Sequence, residues 1–382
     1  MTAGPRAVVW AGASYSWTWW ADMLEDLGWL DATFPTDPAG LRAGLDGAGL
    51  LLVGGGDASV VSDALDRARA RHWLDAGGTA VGTCAGAYAM RRWAGVRVLN
   101  AADAEPRGAP ARAWSRCAEG LVVHVARGPV RLTTADGRRL VAHLYGGPVL
   151  DGATGTGVRV LSRYDGAAEG AEVLLPGHRP LLDGTPAVVA CGVGRGRLLL
   201  SGPHLEHPDC GAARAWLAGQ LGLGPIDAGR RPSRAVAGRA RGDPLLARLS
   251  EVRRTAISAG DLTWSSGDRT WSAQRVAAMA DAVLQRASAL RSWGWPLEAR
   301  HELRALGHVA GRSRPASTAV DWDAVLLATS TVGGRVMGAY FEALRAGMPR
   351  PARRRPSRLR AEGHCAAGTG RTPSRAMGVA RP

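Results

Sequence analysis

Through the first 220 residues the apolar positions come in short unbroken runs: "RAVVW" (Arg6–Trp10), "GLLLV" (Gly49–Val53), "TAVGTC" (Thr79–Cys84), "PAVVAC" (Pro186–Cys191) and "GRLLLSG" (Gly196–Gly202). Each has the length of a strand and no polar alternation, the pattern of strands buried on both faces. Stretches able to form helices, such as Asp57 to Asp75, lie between them. This alternation predicts an α/β fold with a mostly parallel, doubly wound sheet, whose chemistry sits at the carboxyl ends of the strands. From about Leu121 to Leu200 the chain is richer in strand patterns, with Gly and Pro punctuation, and reads as a β-rich insertion extending the same sheet.

The character changes near Gly224. Residues 225–244, including "PIDAGRRPSRAVAGRARGDP", read as an Arg/Pro-rich linker with little to bury. Helical periodicity returns within 245–346, at Leu245–Ala259, Ser272–Trp293 and Trp322–Ala346. Residues 347–382 lose periodicity and are expected to be disordered. The reading is therefore a domain over 1–224, a linker, a helical region and a basic tail. A first part so bounded is expected to fold alone.

Composition adds a charge to be explained. The 382 residues carry a formal net charge of +15, and every positive side chain is an arginine. A bias toward Arg, Ala, Gly and Trp without Lys fits G+C-rich coding better than selection for nucleic acid, because the excess gathers late in the chain and around no reading motif. Weak, nonspecific polyanion binding by the tail is the expectation that remains. The five cysteines are far apart and form no C-x-x-C pair, so neither a disulfide framework nor a zinc site is suggested, and no metal or organic cofactor is expected. No signal-peptide h-region or membrane-spanning run is apparent, which predicts a cytoplasmic protein without a membrane partner.

The candidate chemistry begins at "TAVGTCAGAYAM". A strand leads into Cys84 and a helix leaves it, with Gly82 and Gly86 two residues to either side. That is the pattern of a nucleophile elbow, in which a thiol at a helix N-terminus is favoured as thiolate. Alone, the pattern is as consistent with a buried structural cysteine. "GRLLLSGPHLEHPDC" tips the balance by placing His204 and Glu206 two apart at the end of an apolar strand, where both would face the same way. His204 could deprotonate Cys84 while Glu206 holds the imidazole. Glycines follow another strand in "LLVGGGDAS", and the amides of Gly55 and Gly56 with that of Ala85 would form an oxyanion hole. Ser14 and Tyr15, in the turn after the first strand, are candidate pocket residues. Cys191 and Cys117 have no histidine nearby in sequence and read as structural.

These motifs resemble the class I glutamine amidotransferase-like superfamily and, more narrowly, the N-terminal-domain family of biotin–protein ligases. The narrower resemblance rests on "VGTCAGAY", "VARGPV" ending at Val130, "HLYGGP" (His143–Pro148), "VLSRY" (Val160–Tyr164) and "LSGPHLEHP" (Leu200–Pro208), in that order. It covers roughly Ala7 to Leu221. The resemblance implies a flavodoxin-like sheet, a Cys84–His204–Glu206 arrangement and a pocket that includes Tyr145, Gly146 and Gly147. Leu205 departs from the family pattern, which has proline between the histidine and the glutamate. Biotin ligation by this chain alone is not expected, since the ligase domain's motif contains lysine. The glycines and arginines of Gly192–Leu198 read as a turn and a strand.

The function expected is acyl transfer on an amide-containing small molecule, as an amidotransferase or amidohydrolase, with a synthetase or ligase as possible partner. A non-catalytic ligand-sensing module of the same fold is the alternative. Nonspecific nucleic-acid binding through the basic extension is a third.

Overall fold

The computed structural model describes residues 6–349 apart from 13–14, 57–61, 64, 66, 111–112, 118–119, 153–156, 225–242, 267–268 and 295–319. The linker, the tail and Ser14 thus fall largely or wholly outside the described residues.

Strands β1 (Arg6–Val9), β2 (Ala32–Thr33), β3 (Ala48–Val53) and β4 (Thr79–Thr83) alternate with helices α1 (Trp17–Leu27), α2 (Pro38–Leu45), α3 (Arg67–Asp75) and α4 (Ala85–Met90). The insertion follows as β5 (Ala101–Ala102), β6 (Trp114–Cys117), β7 (Gly120–Val123), β8 (Ala126–Thr134), β9 (Arg139–Tyr145), β10 (Val158–Ala167), β11 (Glu172–Val173) and β12 (Asp183–Val193). Strand β13 (Gly196–Ser201) and helix α5 (Gly211–Leu221) complete this part. The central sheet runs β11-β8-β10-β12-β13-β4-β3-β1-β2, with β9 paired to β8. Strands β2, β1, β3, β4 and β13 pair in parallel. From β13 outward the insertion adds antiparallel pairs, so the sheet as a whole is mixed. Gly192–Leu198 spans the end of β12, the turn at Gly194 and Arg195 and the start of β13, with Gly194 at φ 58°.

The unbroken apolar runs follow from burial on both faces. Leu50 and Leu52 of β3 enter one core cluster, while Leu51 and Val53 enter the other. Helices α1 and α5 cover the first face, and residues of α2, α3 and α4 the second. Because β1, β3, β4 and β13 run in parallel, the turns after them meet at one edge. That edge brings together Tyr15, Gly55, Cys84 and His204.

The helices after Gly224 pack on the first face. They are α6 (Pro244–Ser258), α7 (Ala273–Ser292) and α8 (Trp322–Arg345), with a small hairpin of β14 (Thr263–Ser266) and β15 (Arg269–Ser272). Helix α6 starts where Pro244 supplies a preset φ and Asp243 accepts hydrogen bonds from the amides of Leu245 and Leu246. Their apolar faces are continuous with the core that contains Trp17 and Leu24. The contact is also polar: Arg286 of α7 pairs with Asp22 and Glu25 of α1, the Tyr340 hydroxyl donates to Glu25, and Arg345 pairs with Asp31. Gly333 lets α8 approach closely, since a Cβ there would stand 2.8 Å from both Trp17 and Val283.

Candidate active site

Cys84 is the only described non-glycine residue with a positive φ, 52° with ψ −113°. Such a backbone costs an L-residue about 1–3 kcal/mol and persists only where its surroundings enforce it. The enforcement here is visible. The Cys84 amide donates to the Ser201 carbonyl of β13 and the Gly86 amide to the Gly54 carbonyl, tying the turn to both neighbouring strand ends. A Cβ on Gly86 would stand 2.2 Å from the Val53 carbonyl oxygen, and one on Gly82 would stand 2.6 Å from that of Gly86. Both glycines are therefore demanded by close backbone approach, as the elbow reading expects.

His204 and Glu206 are fully buried. Nδ1 of His204 donates to Oε1 of Glu206 at 2.7 Å, and the Thr83 hydroxyl donates to the same oxygen at 2.8 Å. The geometry that aims the carboxylate differs from the expected extended segment. His204 forms an isolated bridge to His143, and Leu205 and Glu206 then turn, with the His207 amide donating to the His204 carbonyl. Leu205 is buried in the core and leaves the carboxylate within hydrogen-bond reach of the ring.

The other side of the imidazole faces Cys84. A Cβ built on Gly55 would meet Nε2 of His204 at 3.0 Å and Cβ of Cys84 at 3.6 Å, so both residues border the same small space above this glycine. Nε2 has no hydrogen-bond partner in good geometry among the described residues, and Cys84 acts on the ring through charge and a looser hydrogen bond. Burial, the largest influence, pulls the His204 pKa down, but the neighbouring Glu206 and Cys84 outweigh it and raise it from 6.5 to about 9. A protonated imidazole is the state these surroundings favour. Cys191, by contrast, is buried without such partners, and its thiol is pushed up to about 11.

The remaining expected residues divide. Ala85 is the first residue of α4, so its amide is one the helix does not use. Gly56, at φ 126°, follows Gly55 at the end of β3. The Tyr145 carbonyl lies 3.9 Å from the Cys84 sulfur. Gly146 accepts a hydrogen bond from Tyr88 of α4, whereas Gly147 serves packing, because a Cβ there would stand 1.9 Å from the Gly202 carbonyl oxygen. Tyr15 is buried, edge-on to Trp19 and Trp271.

Several residues at this edge carried no local signal in the sequence. Trp19 stands edge-on to His204 with ring centroids 5.0 Å apart, and Arg275 of α7 places its guanidinium over the Tyr145 ring at 3.9 Å while donating to the Tyr15 hydroxyl. Thr83 was readable in principle, being the residue before the cysteine. His143, His207 and Cys210 offer donor atoms all within 4.8 Å of one another, a set of the kind that holds zinc. Nδ1 of His207, however, accepts the Asp209 amide. The His143 and His207 rings stack with centroids 4.3 Å apart.

Among the described residues no helix is long and apolar enough to cross a membrane. No family model matches the chain, and no curated protein matches it. Solved structures similar to it include a protein from Thermoplasma acidophilum, described as a putative GMP synthase subunit, at 12% identity over 58% of this chain and 94% of that one, with a TM-score of 0.38. A glutamine amidotransferase matches at 18% identity over 58% of this chain and 99% of its own, TM-score 0.35. A GH42 beta-galactosidase matches at 13% identity over 58% of this chain and 31% of its own, TM-score 0.35.

Proposed function

We propose that this chain is a cysteine-dependent acyl-transfer enzyme acting on a small carboxamide, of the class I glutamine amidotransferase type and, more narrowly, of the kind found as the N-terminal domain family of biotin–protein ligases. The observation that carries the reading is the junction at Gly55, which Cys84 and His204 border together while Glu206 holds the far side of the ring. A strained cysteine, an imidazole and an orienting carboxylate are the parts of nucleophilic acyl transfer.

In this mechanism the Cys84 thiolate attacks the amide carbon. The carbonyl oxygen takes up the negative charge, and amides from Gly55, Gly56 and Ala85 receive it. Protonated His204 gives its proton to the departing nitrogen, the C–N bond breaks, and ammonia leaves a Cys84 thioester. His204, now neutral, takes a proton from water or an amine as that attacks the thioester, which frees the thiolate and restores the imidazolium. Glu206 keeps the ring oriented and stabilises its charged form throughout. A synthetase or ligase partner would consume the ammonia or the acyl group.

Intact-mass spectrometry of the full chain incubated with a panel of carboxamides, with hydroxylamine added to one aliquot, tests this. The expected result is an acyl adduct on Cys84, discharged by hydroxylamine and absent from Cys84→Ala. Binding of the same carboxamides without any adduct or ammonia release would replace the enzyme reading with that of a ligand-sensing module.

A further inference from the structure

Arg275 is in an unusual electrical position. Its guanidinium lies over the Tyr145 ring and donates to the Tyr15 hydroxyl, and the same Tyr145 carries the carbonyl that lies 3.9 Å from the Cys84 sulfur. No carboxylate forms an ion pair with Arg275 among the described residues. The groups that act on its charge, after burial, are Tyr15, Tyr145 and Cys84. Burial raises the pKa of both tyrosines, so both stay neutral at ordinary pH and neither offsets the guanidinium.

A second cation stands beside it. Arg127 of β8 is paired in register with Tyr145 of β9, so the two side chains emerge on the same face of the sheet. Burial first, and then the charge of Arg275, lowers the Arg127 pKa. Glu172 of β11 is also in register with Arg127, and its charge acts on that guanidinium more weakly than the two tyrosines do. Elsewhere the pattern is different: Arg286, Arg214 and Arg345 each have an acidic partner. A guanidinium with no carboxylate paired to it, beside a nucleophile and with a second cation nearby, is an arrangement that an arriving anion would relieve.

We propose that Arg275 and Arg127 form an anion-binding subsite next to Cys84, so that the substrate amide carries a carboxylate or a similar anionic group, and that the helical extension completes the site by supplying Arg275. The inference rests on the proposed role of Cys84. It assigns α7 a part in substrate selection that the α/β part cannot supply by itself.

The probes are iodoacetate and iodoacetamide, which alkylate the same thiolate and differ in charge. Peptide-resolved mass spectrometry of the full chain gives the Cys84 rate for each. A change in thiol acidity scales both rates alike, so their ratio isolates recognition of the negative charge. Wild type is expected to favour iodoacetate over iodoacetamide by about tenfold, the scale of one charge-assisted hydrogen bond. Arg275→Gln should bring the ratio close to that of a free thiol, Arg275→Lys should keep part of it, and Arg127→Gln should lower it independently. A ratio unchanged in both glutamine variants, or a wild type that favours iodoacetamide, would overturn the subsite while leaving the nucleophile standing. A Cys84 that reacts with neither reagent would overturn both.

Discussion

At the scale of the residue, the charge state of His204 is the most exposed part of the account. Its pKa is raised from 6.5 to about 9, so folding favours the protonated ring. The resulting stability is fully present below pH 6.5 and is lost as the pH rises through about 9. Glu206→Gln removes the carboxylate that opposes the cost of burial, and the His204 pKa is expected to fall, toward or below that of a free histidine. Side-chain NMR titration of isotopically labelled histidine in wild type and variant checks this. An unchanged high pKa in the variant would mean that Cys84 alone sets it. This pair was readable in the sequence because both residues sit within five positions after a strand. The shape of the segment was not readable, since the turn at Leu205 depends on the bridge between His204 and His143, 61 residues away in sequence.

At the scale of the element, the turn from β4 to α4 stores strain in one residue and relieves crowding in two others. Cys84→Gly should stabilise the fold by about 1 kcal/mol relative to Cys84→Ala, because glycine adopts a positive φ without steric cost. Gly86→Ala should destabilise by at least 1–3 kcal/mol, the usual range for overpacking, since its Cβ would push directly on the Val53 carbonyl. Equilibrium denaturation of the three variants measures both effects. A Cys84→Gly variant no more stable than Cys84→Ala would remove the argument that strain is held at this position for a purpose. The elbow was legible because it is local: apolar strand, small residue, helix. The sheet's change from parallel to antiparallel was less so, because an apolar run buried on both faces reads the same in either direction. Leu198 of β13 and Val189 of β12 enter the same core cluster from strands of opposite direction.

At the scale of the whole molecule, Gly224 marks a change of composition across which packing continues. Trp17 of α1 donates to Ser330 of α8, and Arg286 of α7 sits between two acids of α1. We propose that the two parts melt as one cooperative unit. Arg286→Ala would leave Asp22 and Glu25 facing each other, nearly buried and unpaired, at a cost of about 3–5 kcal/mol. Calorimetry should show a single transition at lower temperature. Two separate transitions, with only the smaller one shifted, would favour an independent first part. Periodicity alone found these helices, but not the face they dock against, because pairs such as Arg286 with Asp22 span more than 260 positions. Several of the extension's arginines pair with acids in this way, namely Asp22, Glu25, Asp31 and Asp281, whereas the linker and tail expected to bind polyanions lie almost wholly outside the described residues.

The proposed function turns on Cys84 being the nucleophile and His204 activating it. Its most direct test is the alkylation rate of each cysteine by iodoacetamide at pH 6.5, resolved by peptide mass spectrometry, in wild type and in His204→Ala. The account predicts that Cys84 reacts first, that His204→Ala slows it by at least about tenfold, and that Cys191 hardly reacts, with only about one thiol in ten thousand ionised even near pH 7 given its pKa of about 11. A Cys84 no faster than Cys191, or a rate indifferent to the loss of His204, would contradict it.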